Sequence, residues 1–250
     1  MITIKSEKEI ELMRHAGKLV SLTHQYLKPY IKPGITPLEL DSLAEEFIRS
    51  HDAIPTCKGY EGFPNSLCIS INDEVVHGIP DKRKIKNGDI VTIDMVIGYH
   101  GYQADAAWTY AVGNINSQKQ YLMKHTEKAL YEGIKMVKEG IRVGDISHAI
   151  EVYATKYHLG IVKELVGHGI GSDMHEDPEI PNYGKEGTGP KLKAGMVICI
   201  EPMLNLGSPR IGILDNDWTI VTEDGSPSAH YEHTVLVTKE GYEILTPRLD

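Results

Sequence analysis

The 250 residues, 41% hydrophobic and 24% charged, are enough to bury a sizeable core without disulfide staples. Thirty-five acidic against 26 basic residues leave a net charge of −9, which argues against a nucleic-acid groove or an anionic membrane as partner. No apolar run approaches the roughly 18 residues of a membrane helix, and the opening Met1-Ile2-Thr3-Ile4-Lys5 lacks the pattern of a signal peptide. The three cysteines, Cys57, Cys68 and Cys199, have no C-x-x-C spacing. They make neither a disulfide framework nor a zinc knuckle and suit a reducing cytosol.

In chain order, Ser6-Glu7-Lys8-Glu9 is a capping box ahead of a helical pattern of Ile10, Met13, Leu19, Val20 and Leu27. Thr36-Pro37-Leu38-Glu39 is a second box with proline at the first helical position. It opens an amphipathic helix through Leu40, Leu43, Ala44 and Phe47. From 66 to 112 the pattern changes to short β-branched runs broken by Gly, Asn and Pro, which predicts strands. Helices return at about 117–138, with Gly140 just past the end, and at about 145–157; strands follow over 195–240.

That order is a repeat. Lys32-Pro33-Gly34-Ile35 matches Lys138-Glu139-Gly140-Ile141, and Lys86-Asn87-Gly88-Asp89-Ile90 matches Lys193-Ala194-Gly195-Met196-Val197, at nearly one offset. One domain over 1–250 is expected, built of two pseudo-symmetric halves, about 6–113 and 114–242. No low-complexity linker divides them, so the fold class is α+β around a shared, curved antiparallel sheet.

The acids follow the repeat. Asp94 ends the apolar strand 90–93 and Glu201 ends its counterpart 197–200; Asp105 and Glu232 each lie inside a further strand. One carboxylate at a strand end is ordinarily a cap or a solvated edge. The same acid in both halves, joined by a second pair, is not. Four acids gathered by a two-fold repeat repel one another unless cations neutralise them, and they carry enough charge for two divalent ions. Of 12 histidines, three stand out by context: His77 in Val76-His77-Gly78-Ile79, His168 in Gly167-His168-Gly169-Ile170-Gly171, and His175. Glycines flanking His168 exclude helix and are expected to let the backbone approach a ligand. An oxygen-rich set with one imidazole favours Mn(II), Fe(II) or Co(II) over a structural zinc. Other catalytic motifs fail: His175-Glu176 is not continued to H-E-x-x-H, and there is no G-x-S-x-G elbow and no phosphate-binding loop. The stretch 57–68 reads either as a surface loop with a few buried anchors or as an apolar pocket wall.

The ordered set Asp94, Asp105, His168, Glu201, Glu232, with Gly-His-Gly-Ile-Gly, Ile-Glu-Pro-Met and Tyr-Glu-His-Thr around it, resembles the type I methionine aminopeptidases over essentially the whole chain. The resemblance implies the pita-bread (creatinase/aminopeptidase) fold. It also implies a metalloexopeptidase that removes N-terminal methionine ahead of a small second residue, using two divalent ions (Co, Mn, Fe or Zn). By it, Asp94 chelates one metal, Asp105 and Glu232 bridge both, and His168 with Glu201 completes the other. Glu201 takes the proton of the attacking water, and His77 and His175 are the catalytic histidines. Cys57, Tyr60, Phe63, Cys68 and Trp218 fall where the family builds its methionine pocket, together with Met174, a position often aromatic there. Ala106 stands where Thr or Ser is common. The eukaryotic zinc-binding extension and the type II insertion are not expected. The implied partners are nascent polypeptide N-termini at the ribosome, with no nucleic acid and no membrane, and the implied state is a cytoplasmic monomer. Three rivals are weighed against this: an X-Pro aminopeptidase or prolidase of the same fold, a non-catalytic peptide-binding relative, and a purely structural metal protein.

Overall fold

The computed structural model describes residues 2–249; Met1 and Asp250, which the expected domain includes, lie outside the described residues. The chain opens with α1 (Glu7–Leu27) and α2 (Pro37–Ser50). Both begin at the predicted boxes. At the second, the Glu39 N–H donates to Thr36 Oγ1 at 3.2 Å while the Thr36 N–H donates to Glu39 Oε2 at 2.9 Å, so two otherwise orphaned donors are satisfied. Short strands β1 (Ile54–Pro55), β2 (Cys68–Ile71) and β3 (Glu74–Val76) lead into a hairpin of β4 (Ile90–Tyr99) and β5 (Tyr102–Ala111). The helices α3 (Ser117–Ile134) and α4 (Val143–Lys156) come next. They are followed by β6 (Gly160–Ile161), β7 (Gly167–Gly169), β8 (Glu176–Ile180), β9 (Val197–Ile200) and β10 (Met203–Asn205). The last strands are β11 (Ile211–Ile213), β12 (Ile220–Thr222), β13 (Ser228–His230), β14 (His233–Val237) and β15 (Tyr242–Ile244).

All pairings among these strands are antiparallel. In the first half β4 carries β5 on one edge and β1 and β2 on the other. In the second half the order is β15-β14-β9-β7-β8. Each sheet is backed by its own helices. Leu19, Val20, Leu27, Leu40 and Ile48 pack on Ile69, Ile93, Met95 and Ile97; Leu130, Ile134, Ile146 and Ile150 pack on Ile198, Ile200 and Val235. Each such fully buried aliphatic side chain stabilises the fold by roughly 1.5–3 kcal/mol. The turns into the central strands match across the halves: Gly88 and Gly195 both take a left-handed φ, 93° and 89°, that a side chain would resist. The same holds for the ladders behind them. The Ile85 N–H donates to Ile35 O at 2.8 Å, and the Leu192 N–H donates to Ile141 O at 2.8 Å.

The two sheets meet along β5 and β14. The Asp105 N–H donates to Thr234 Oγ1 at 2.9 Å, the Thr234 hydroxyl returns to Asp105 O at 2.8 Å, and the Glu232 N–H reaches Ala107 O at 2.8 Å. A second threonine, Thr109, pairs in the same way with the backbone of His230, at 2.9 and 3.1 Å.

Three expectations change. Asp94 does not end its strand; it lies within the ten-residue β4, because Met95, Val96 and Ile97 continue the apolar run and pair with β5. Glu232 precedes β14 and does not lie within it. The helix α3 stops at Ile134, short of 138. Tight turns draw Val137 into the second core, and Gly140 binds Leu192 O instead of capping the helix.

Under α1, His24 is fully buried, stacked on Trp108 at 4.0 Å, with Nδ1 3.0 Å from Tyr110 Oη and Nε2 3.3 Å from Ala106 O. Burial pushes its pKa down to about 3. An unfolded imidazole protonates near 6.5, so between these values the unfolded state holds more protons and stability falls as the pH falls. The slope is about 1.4 kcal/mol per pH unit for this one group. His24→Gln is expected to lose that slope between pH 6 and 4 relative to the native protein, read from urea midpoints; parallel curves would show that His24 does not titrate on unfolding.

Candidate metal centre

The seam between the sheets forms the floor of a cavity of about 220 Å³. The pairing of β4 with β5 sets Asp94 opposite Ala107 and Val96 opposite Asp105, so the two aspartates are diagonal neighbours on one face. From the other half, Glu201 and Glu232 lie one step beyond the His233–Ile200 pair of β14 and β9. In β7, which pairs with β9, His168 gives its Nδ1–H to Gly169 O at 2.9 Å. Its Nε2 lone pair is thereby left for the acids, 3.4 Å from Glu201 Oε1 and 3.8 Å from Asp105 Oδ2. All five predicted ligands therefore converge from both halves: Asp94, Asp105 and His168 from within strands, Glu201 just after β9 and Glu232 just before β14.

The electrostatics are those of a charge cluster without counter-charge. Burial pushes the Asp94 carboxyl up to about 7. Burial first, then the other acids, hold Asp105, Glu201 and Glu232 well above the usual carboxylate range. Burial pushes His168 down to about 4, which keeps it a neutral ligand. Asp105 Oδ1 and Glu232 Oε1 are buried with no hydrogen-bond partner. Buried acceptors of this kind are costly unless something completes them. Ligand atoms of Asp105, His168, Cys199 and Glu232 lie within 4.8 Å of one another, and so do those of Glu201, His230 and Glu232. Hard oxygens plus imidazole, orphaned and close together, fit divalent cations.

The predicted pocket residues line the same cavity. Cys57, Phe63, Cys68, Val96 and Met174 form one buried cluster, with Tyr60 and Trp218 packed on it. The Cys57 and Cys68 side chains pack in that cluster, and Phe63 meets Trp218 edge-on at 5.1 Å. Of the two readings of 57–68, the pocket wall is the one observed. At the rim, His175 Nδ1 is 2.9 Å from Tyr60 Oη, and its ring stands edge-on to His168 at 4.4 Å. His77 follows β3 at a left-handed φ of 57° and faces Trp218 edge-on at 6.5 Å. Burial pushes the pKa of both His77 and His175 down.

The glycines around His168 serve a different purpose from the one expected. A Cβ at Gly167 would lie 2.3 Å from Cys199 O, and one at Gly169 2.1 Å from Asp177 O. They admit neighbouring strands, not a ligand. Two residues of the cluster were missed by sequence reasoning, Cys199 and His230. Each stands two before a predicted ligand, Glu201 or Glu232, the period that puts strand residues on one face. Burial pushes the Cys199 thiol well up, and it contacts Thr234 Oγ1 at 3.6 Å, so it stays a protonated thiol behind the acids.

The profile of metallopeptidase family M24 matches residues 11–239, and the chain belongs to that family. Within it, the similarity is to methionine aminopeptidases. Methionine aminopeptidase 1 of Bacillus subtilis is 50% identical over 246 residues, 98% of this chain and 99% of that one. The crystal structure of methionine aminopeptidase from Rickettsia prowazekii matches with a TM-score of 0.97 at 43% identity, covering 99% of this chain and 100% of that one. The prolidase from Pyrococcus horikoshii, at 23% identity and TM-score 0.78, covers 98% of this chain but 64% of its own, and shares the fold alone. The architecture is the pita-bread fold of this family. Among the described residues, no helix is long and apolar enough to cross a membrane.

Proposed function

We propose that this chain is a metal-dependent aminopeptidase that removes methionine from the N-termini of nascent polypeptides, with a small residue preferred next. The observation that carries this is the convergence of Asp94, Asp105, His168, Glu201 and Glu232 on the floor of one cavity whose wall is built of thiols, a thioether and aromatic rings. Asp94, Asp105, His168, Glu201 and Glu232 would hold two divalent ions, drawn from Mn, Fe, Co and Zn. When bound, such ions supply Lewis acidity to the scissile carbonyl and to the attacking water.

The rest falls to the side chains. A Glu201 carboxylate oxygen accepts the proton of the attacking water. The Tyr60 hydroxyl, donating to His175 Nδ1, leaves the proton on Nε2, from which His175 hydrogen-bonds the developing oxyanion. His77 hydrogen-bonds the scissile amide nitrogen. Beside Asp94 the floor receives the free α-amine, which only a chain terminus offers. Cys57, Cys68, Phe63, Tyr60, Met174 and Trp218 surround the methionine side chain, whose flexible, polarisable thioether suits soft walls.

The same reading makes residues 1–250 one catalytic domain of two related halves, about 6–113 and 114–242, working as a cytoplasmic monomer; the paired turns at Gly88 and Gly195 support the duplication.

Cleavage of Met-Gly-, Met-Leu- and X-Pro-initiated peptides in anaerobic buffer, with Fe(II), Mn(II) and Co(II) added in turn, tests the activity. Methionine release from Met-Gly peptides, abolished by a chelator and restored by metal, is expected. Cleavage of X-Pro peptides alone would instead make the chain a prolidase.

A further inference from the structure

His230 ends β13 two residues before Glu232 and is 1% exposed. Its backbone is pinned to Thr109 in both directions, but neither ring nitrogen has a hydrogen-bond partner. A buried imidazole with both nitrogens idle is rare in a folded protein and calls for a group that completes it. Its surroundings supply one. Nε2 lies 3.7 Å from Glu201 Oε2 and 4.0 Å from Glu232 Oε2. These separations exceed hydrogen-bond length, and a movement of under about 1 Å would bring the first within it. Glu201 thus stands between two imidazoles, His168 near Oε1 and His230 near Oε2.

We propose that His230 is a positioning residue for the metal centre. In the loaded centre its Nε2–H donates to Glu201 Oε2, fixing the carboxylate so that Oε1 stays on the His168 side. A carboxylate has more acceptor sites than one cation uses, and ligating carboxylates are themselves held by outer hydrogen bonds. In the Nε2–H tautomer, or with both nitrogens protonated, the His230 imidazole is a donor at Nε2. The inference rests on the reading of this cluster as a metal centre.

The test is calorimetric titration of Mn(II) into metal-stripped protein, with the visible absorption of the Co(II)-loaded form as a second readout. His230→Ala and His230→Leu are expected to weaken Mn(II) binding by roughly 10- to 100-fold, the usual loss when an outer-shell partner is removed. Leucine fills the space that alanine leaves, so a packing defect is separated from a lost donor. His230→Gln keeps an N–H at similar reach and is expected to restore near-native affinity and an unchanged Co(II) spectrum. Native Mn(II) affinity in both the alanine and leucine variants overturns the proposal. So does a glutamine variant as weak as alanine with shifted Co(II) bands, which would make the imidazole a direct ligand. If the native protein itself takes up no Mn(II) or Co(II), it is the metal-centre reading that fails.

Discussion

Asp105→Asn is expected to empty the metal centre and to lower peptide hydrolysis by more than the roughly 100-fold that follows loss of an outer-shell partner. Asp105 is 5% exposed, its backbone is locked to Thr234 on both sides, and Oδ1 has nothing to bond. The amide is nearly isosteric, so the fold should persist while the carboxylate charge is gone. Elemental analysis after dialysis reads this directly; full retention of metal would remove Asp105 from the ligand set. A second measurement shows the sign of the electrostatics. Burial, Glu232 and Asp94 raise the folded-state pKa of Asp105. The folded protein therefore keeps a proton that the unfolded chain gives up near pH 4. The associated stability is present below that point and is lost as pH rises through the raised folded value. The metal-free native protein should then melt lower than metal-free Asp105→Asn at pH 8, and the gap should narrow towards pH 4.

The second large effect falls on turnover with the metal in place. His77→Ala is expected to lower it by roughly 10²- to 10⁴-fold, the range for a positioned acid–base or polar group, with bound metal unchanged. His77 belongs to neither cluster of close metal-binding atoms yet lines the cavity, half-buried, with its ring edge-on to Trp218. Its left-handed φ adds a complication, because alanine tolerates that conformation poorly. His77→Asn separates the two, since asparagine accepts it more readily. If asparagine recovers full turnover, the imidazole has no chemical role and His77 matters only for the bend after β3.

Asp94 and Glu201 stood out in the sequence because each carboxylate meets an apolar run at the offset of the repeat, and His77, His168 and His175 stood out by their local context; the roles expected of them came from the family resemblance. The capping boxes were legible because their chemistry is local. What was not legible depends on pairing. Asp94 looked like a strand end because a carboxylate resembles a boundary until the hairpin with β5 is known. Cys199 and His230 looked like ordinary strand residues until β9 was paired with β14 and β13 with β10. The role of Gly167 and Gly169 was misassigned because sequence shows that space is required but not which backbone fills it. The threonine seam that joins the sheets, Thr234 to Asp105 and Thr109 to His230, spans more than 120 residues and leaves no local signal.

That seam has a consequence for assembly. The N-terminal portion, synthesised first, carries Asp94 and Asp105 of the cluster; His168, Glu201, His230 and Glu232 arrive later. Asp105 of the first half and His168, Cys199 and Glu232 of the second form one cluster of close ligand atoms, so Mn(II) uptake at that cluster during refolding is expected to follow the docking of the two halves. An ion held there would act as a clasp across the junction, so Mn(II) is expected to raise the melting temperature of the native protein.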